Sequence, residues 1–103
     1  MKITVEITKV FTDRTDMLKA ASNVILADED GECFMVKNVR VIEGAHGPFM
    51  SMPSHRNVKG EYKEICFPVS IALRERMNAA VLAAYEEAIQ NTDGSPDGLP
   101  PTA

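Results

Sequence analysis

The sequence has no apolar run that approaches the roughly 18 residues of a membrane-spanning helix. Its first six residues, Met1-Lys2-Ile3-Thr4-Val5-Glu6, are too polar for a secretion signal. These two absences argue against a membrane protein and an exported protein, and they predict a cytoplasmic location. A chain of 103 residues also has too little apolar material for a second core, so we expect a single domain.

Cysteine is scarce, and the two thiols, Cys33 and Cys66, are expected to stay reduced in the cytoplasm. Together with His46 and His55 they are the candidate zinc ligands or Cys-His nucleophile set. Zinc sites are usually marked by close ligand pairs such as C-x-x-C, but here successive candidates are 13, 9 and 11 residues apart. We therefore expect no metal, no cofactor, no small-molecule substrate and no enzymatic activity.

A strong positive charge is also missing, since the formal net charge is −4. The distribution is uneven. Residues 54–76 carry five positive and three negative side chains, a net +2, which leaves −6 on the rest of the chain. This segment is either a solvated charged surface or a local phosphate-binding patch on an acidic protein.

Alternation of apolar and polar residues predicts β-strands in the first two thirds of the chain. Ile3, Val5 and Ile7 alternate with polar residues, which is typical of a half-buried strand. Residues 13–16 are predicted as a polar turn, and further strands are predicted at 18–27, 33–43, 49–52 and 61–67. The charged residues 27–32 predict a hairpin loop, in which Asp30 and Gly31 are best able to adopt positive φ.

From Ser70 onward the apolar spacing changes to three and four residues, which predicts a helix capped by Ser70 that runs to about Gln90. Polar residues, Asn78 among them, are placed largely on its outer faces. The expected apolar stripe is Leu73, Met77, Ala80, Val81, Ala84 and Ala88. Residues 91–103 contain three prolines and two glycines without periodicity, so they are predicted to form a flexible tail.

The resulting expectation is an α+β fold, an antiparallel meander of about five strands followed by a C-terminal helix. The domain is predicted to cover residues 1–90. One sheet and one helix give a thin core, so a second copy of the chain is expected to cover the remaining apolar face in a homodimer.

Two other motifs have simple structural explanations. Gly44-x-x-Gly47 could approach a phosphate, but it lies between two strands rather than before a helix, which favours a tight turn. The acidic residues at 28–32 lack the alternating ligands and central glycine of a calcium loop. A solvated hairpin tip accounts for them.

The loop and strand from Ser54 to Lys63 are the better functional candidates. Arg56 can form paired hydrogen bonds with a phosphate, Lys59 and Lys63 supply point charges, and Ser54 and Asn57 can hydrogen-bond to sugar or phosphate. His55 and Tyr62 could stack on an unpaired base. Arg74 and Arg76 near the start of the helix could lie beside this loop, although a helix N-terminus disfavours cations.

The segment from residue 41 to 65, VIEGAHGPFMSMPSHRNVKGEYKEI, resembles the core of the stage V sporulation protein G (SpoVG) family. In that family the segment reads roughly V-I-[ED]-G-x-x-G-x-F-x-[AS]-M-P-S-[KR]-[KR]-x-x-x-G-E-[FY]-[KR]-[DE]-I. The matching positions are Val41, Ile42, Glu43, Gly44, Gly47, Phe49, Met52, Pro53, Ser54, Arg56, Gly60, Glu61, Tyr62, Lys63, Glu64 and Ile65. The resemblance covers about residues 1–90 and is weakest before Leu18.

The resemblance implies a dimer built on the sheet and the C-terminal helices, which binds DNA, and in several cases RNA, and regulates genes of sporulation and septation. By position, the family's basic residues correspond to His55, Arg56, Arg74 and Arg76. The expected nucleic-acid-binding set is Ser54, His55, Arg56, Lys59, Lys63, Arg74 and Arg76.

Four departures from the family pattern affect binding rather than fold. His55 replaces a residue that is usually lysine or arginine, so one permanent charge is lost near neutral pH. Phe67 replaces a family histidine, the hairpin at 27–33 is longer and more acidic, and the tail is additional. A second hypothesis therefore stays open, a protein-interaction module that uses the acidic hairpin and exposed strand edges.

Overall fold

A computed structural model describes residues 1–11 and 17–94 of the chain. The first four strands are β1 (Lys2–Val10), β2 (Leu18–Ala27), β3 (Cys33–Gly44) and β4 (Gly47–Ser51). They form one antiparallel sheet in the order β1-β2-β3-β4. The predicted α+β meander is confirmed, and the predicted turn at 13–16 lies outside the described residues.

The last part of the meander differs from the prediction. The expected fifth strand at 61–67 is only β6 (Tyr62–Glu64), and it pairs with the short strand β5 (Ser54–Arg56), which was predicted as loop. Pro53 follows β4 and cannot donate to a continuing ladder. The chain therefore folds back on itself as a separate two-stranded hairpin.

The helix α1 (Ile71–Gly94) begins as predicted, because the Leu73 N–H donates to the Ser70 Oγ at 3.1 Å. It runs four residues further than the expected end at Gln90. The remainder of the predicted tail, 95–103, lies outside the described residues. The predicted domain boundary at residue 90 stays a prediction.

The core lies between α1 and one face of the four-stranded sheet. Val24, Val39, Val41 and Val81 are fully buried there, and Val81 belongs to the predicted helical stripe. Val24 comes from β2, Val39 and Val41 from β3, and Val81 from α1. The remaining buried apolar members are Ala20, Val36, Met50, Met52 and Met77.

Two polar side chains form hydrogen bonds to the backbone in or beside this core. The buried Ser22 donates its hydroxyl to the Val39 carbonyl at 2.8 Å, so its burial leaves no unpaired polar atom. Asn78, predicted on an outer face, instead accepts the Met50 N–H at 2.9 Å and joins α1 to β4. The prediction for Asn78 was wrong because the helix reaches over β4, which is an edge strand among the described residues, and accepts its outward Met50 N–H.

The face of the main sheet turned away from α1 is called the open face. Because side chains alternate along a strand, Arg40 and Ile42 of β3 and Ser51 of β4 lie on this face. The described part of the chain has no helix that is both long and apolar enough to cross a membrane.

Candidate nucleic-acid interface

The β5–β6 hairpin is closed by a turn that Asn57 organises. Its Oδ1 accepts the N–H groups of Lys59 and Glu61, each at 2.9 Å. The Gly60 N–H also donates to the Asn57 carbonyl at 3.0 Å. An Asn at the first turn position that binds the backbone two residues ahead is the usual chemistry of such turns. Asn57 is therefore engaged in the fold, and its predicted contact with sugar or phosphate is not available to Oδ1.

The hairpin exposes its cations on both sides. His55 pairs across the ladder with Lys63, and Arg56 pairs with Tyr62. Since neighbouring residues of a strand point to opposite faces, His55 and Lys63 share one face while Arg56 and Tyr62 share the other. Every residue of β5 and β6 is exposed, so these groups are accessible to a ligand.

Few carboxylates neutralise these cations. The Lys63 Nζ lies 3.9 Å from Glu61 Oε1, at the limit of an ion pair between exposed groups. Within the described residues, His55, Arg56 and Lys59 have no carboxylate at salt-bridge distance. Ser54 is partly engaged, since its Oγ donates to the Met52 carbonyl at 3.0 Å.

The two helix arginines separate. Arg74 Nη2 donates to Glu64 Oε1 at 3.2 Å, which connects α1 to the hairpin and offsets part of the Arg74 charge. Arg76 lies on nearly the opposite side of the helix and donates to the Met1 carbonyl at 2.7 Å. The described contacts thus bring the hairpin residues and Arg74 together, while Arg76 contacts Met1, the residue before β1.

A small cleft beside the hairpin was not predicted from the sequence. It is lined by residues of the open face, Asn38, Arg40, Ile42 and Ser51, and by Met52, Pro53, Ser54 and Tyr62 at the hairpin. Its volume is about 170 Å³. The sequence signal for this cleft is Arg40. It lies between Val39 and Val41, which point into the core, so alternation along β3 places the arginine on the open face.

The other motifs occupy structural positions. Among residues 1–11 and 17–94 there is no group of three or more His, Cys, Asp or Glu that could hold a metal ion, and both cysteines are free thiols. Gly44 and Gly47 pair with each other at the β3–β4 hairpin, which confirms the turn. The Asp28 carboxylate accepts two N–H groups of its own hairpin loop.

The chain is similar to known proteins over nearly its whole described length. A model of the SpoVG family matches residues 1–87. A septation protein SpoVG from Treponema denticola is 42% identical over 85 residues, covering 80% of this chain and 87% of the relative. SpoVG 1 of Listeria monocytogenes serotype 4b is 42% identical over 85% of this chain and 81% of its own length. A SpoVG protein from Brevibacillus brevis is 35% identical over 92% and 95% of the two chains.

Proposed function

The chain belongs to the SpoVG family, and we propose that it is a homodimeric regulator that binds DNA or RNA and controls gene expression linked to sporulation or septation. The names of its relatives refer to septation and indicate no catalytic activity. The proposal places the protein in the cytoplasm and assigns its binding surface to the β5–β6 hairpin.

The observation that carries this proposal is the exposed, weakly neutralised set of cations on the hairpin, Arg56, Lys59 and Lys63. A protein with a net charge of −4 repels a polyanion at long range. At physiological salt, charges more than about 8 Å away are largely screened. The cations on both faces of the β5–β6 hairpin can therefore bind phosphates although the rest of the protein is acidic. Binding of this kind is expected to be moderate in affinity and sensitive to salt.

The homodimer is supported by an uncovered apolar surface near the start of α1. A groove of about 440 Å³ is lined by apolar side chains of β2, β3, α1 and residues 66–69. Phe34 and Phe67 beside it are 65% and 56% exposed. A contiguous exposed apolar surface of this kind usually marks an interaction site.

Within the described residues, the β3 backbone next to this groove has a strand partner on one side only. Residues 33–39 of β3 pair with β2, whereas β4 pairs only with residues 40–44. A strand edge with free backbone groups beside an apolar groove favours a protein partner, and we assign that place to the second copy of the chain. Light scattering at micromolar concentration should give about twice the chain mass of 11.3 kDa. A monomer at all concentrations would contradict the dimer.

Binding is tested by a salt series with Arg56→Ala and Lys2→Gln. Both changes remove one exposed charge, but Lys2 lies on β1 rather than on the hairpin. Arg56→Ala should weaken binding to all sequences, and the slope of log affinity against log salt should flatten by about one unit per lost phosphate contact. Lys2→Gln should leave that slope unchanged.

His55→Lys is the complementary change, because it restores a permanent charge on the face that Lys63 shares. It should tighten binding at neutral pH and steepen the salt slope. If these hairpin variants bind like the wild type, the hairpin is not the binding surface. If the wild type binds no nucleic acid at low salt, the protein-interaction module becomes the better hypothesis, supported by the same open edge of β3.

A further inference from the structure

The cleft between the open face and the hairpin has the size of one ring rather than of a whole cofactor. Its volume of about 170 Å³ is below the roughly 300 Å³ at which pockets for free small molecules begin. A ligand that enters it would therefore be one part of a longer molecule whose remainder lies on the surrounding surface.

A β-bulge turns Asn38 toward this cleft. Lys37 and Asn38 together oppose Asn23, because the register shifts between the pairs Ser22–Val39 and Val24–Val36. Asn38 has a φ of 67°, and its N–H donates to Asn23 Oδ1 at 3.4 Å. Bulges commonly redirect a side chain next to a site. Here the redirected group is an amide, which can both donate and accept hydrogen bonds.

Arg40 supplies an accessible charge at the same place. Its neighbours across the ladder are Ala21 and Ser51, two small side chains that do not cover it. Among the described residues no carboxylate lies at salt-bridge distance from Arg40. A guanidinium without an acidic partner is well suited to a phosphate.

Tyr62 forms the wall of the cleft on the hairpin side. It is 72% exposed, so its ring has a free surface for another planar group. Arg56, its partner across the ladder, lies on the same face of the hairpin. The cleft therefore combines an aromatic surface, an amide and the Arg40 cation, and Arg56 lies next to it on the Tyr62 face of the hairpin.

We propose that this cleft receives one unpaired base of a single-stranded nucleic acid. Tyr62 stacks on the base, Asn38 hydrogen-bonds to its edge, and Arg40 binds an adjacent phosphate. A duplex cannot use this site without unpairing a base, so the site favours single strands. The inference rests on the proposed nucleic-acid function and extends it to a type of strand and to residues on β3.

Tyrosine fluorescence offers a direct test, because Tyr62 and Tyr85 are the two tyrosines and tryptophan is absent. In a Tyr85→Phe background, Tyr62 becomes the only side chain that is excited at tyrosine wavelengths. An oligothymidine of about 12 nucleotides, within the roughly 4–16 nucleotides of single-strand sites, should quench this emission after correction for absorbance. A duplex of mixed sequence should quench it far less.

Affinity measurements by anisotropy separate the cleft from the hairpin. Tyr62→Leu should weaken oligothymidine binding by roughly 5- to 150-fold, the range for one stacked base, and change duplex binding by less than about twofold. Asn38→Gly keeps the positive φ while it removes the amide, so it should act in the same direction. Arg40→Gln should flatten the single-strand salt slope. Circular dichroism should show that each variant is folded.

The outcomes distinguish the two proposals. If Arg56→Ala weakens binding of both strands and duplexes while Tyr62→Leu and Asn38→Gly have no effect, the cleft is overturned and the nucleic-acid function stands. If the duplex quenches Tyr62 as strongly as the oligothymidine, the single-strand assignment is also overturned. If the wild type binds neither probe, both proposals fail together.

Discussion

Two turns of this molecule share one hydrogen-bonding pattern although their charges differ. In the first turn, residues 28–32, Asp28 Oδ1 accepts the N–H groups of Asp30 and Glu32, each at 2.9 Å. In the second turn, residues 57–61, Asn57 Oδ1 does the same for residues 59 and 61. Gly31 and Gly60 occupy equivalent places with φ of 86° and 85°.

The comparison shows which positions determine the backbone and which are free. Both turns have an Asp or Asn at the first position, a glycine with positive φ at the fourth and a glutamate at the fifth. The second and third positions are then available for function. They hold Glu29 and Asp30 in the first turn but Val58 and Lys59 in the second. The same turn conformation thus presents acidic side chains at residues 28–32 and part of the cationic hairpin at residues 57–61.

The largest expected effect is on the core that supports both turns. Val81→Asp places an unpaired charge at a fully buried position and should cost at least about 3 kcal/mol of unfolding free energy. Both turns should then be lost together. Urea denaturation measures this effect. Glu87→Ala, on the exposed side of α1, should stay within about 0.5 kcal/mol, and equal effects of the two changes would mean that the helix face is misassigned.

The glycines should separate the two turns. Gly31→Ala forces a residue with a Cβ into positive φ and should cost about 1–2 kcal/mol of global stability, because β2 and β3 are central to the main sheet. Gly60→Ala carries a similar strain, but its hairpin has only three ladder pairs. It should open locally, seen as faster amide exchange in residues 54–64 at an unchanged urea midpoint. An equal fall in both midpoints would show that the hairpin unfolds with the sheet.

Replacing the residue that organises each turn should have an effect no larger than that of the glycine changes. Asp28→Ala removes the acceptor of two hydrogen bonds and should cost about 1–2 kcal/mol. Asp28→Asn keeps an equivalent oxygen, so the urea midpoint should change little. Asn57→Ala and Asn57→Asp form the corresponding pair, read by amide exchange of the hairpin. If the alanine and conservative variants behave alike, these side-chain hydrogen bonds do not define the turns.

The smallest effect on stability should come from exchanging charge at the third turn position. Asp30→Lys and Lys59→Asp should each change unfolding free energy by no more than about 0.5 kcal/mol. Their effects on nucleic-acid binding should differ. Lys59→Asp should weaken binding, while Asp30→Lys should alter it little. If the two changes shifted nucleic-acid affinity by equal amounts in opposite directions, binding would depend on the net charge of the protein rather than on charges in the hairpin.

The main sheet and helix were predictable because each buries one side. Strands β1 and β2 alternate in burial, and α1 carries its apolar residues at helical spacing. Strands β5 and β6 have three residues each, all exposed, so no alternation marks them. Their turn was still visible in the sequence, since Asn57-x-x-Gly60-Glu61 repeats the pattern of Asp28-x-x-Gly31-Glu32.

The candidate site was predictable only where its residues are close in sequence. The cations of residues 55–63 lie on one hairpin, as their proximity in the chain suggests. Arg76 was grouped with them, but a separation of two residues on a helix turns it away from Arg74. Arg40 and Asn38 join the hairpin only through the β3 bulge and the fold-back after Pro53. These features depend on tertiary structure.

The position of α1 after all the strands has a consequence for synthesis on the ribosome. Val24, Val39 and Val41 belong to strands that are complete by Ser51, but Val81, which covers them, is translated 30 residues later. At about 5–20 residues per second this interval lasts roughly 2–6 s. Strand pairing between neighbours takes microseconds, so the sheet can form long before its apolar face is covered. The nascent chain is therefore most exposed to aggregation, and most dependent on chaperones, during those seconds.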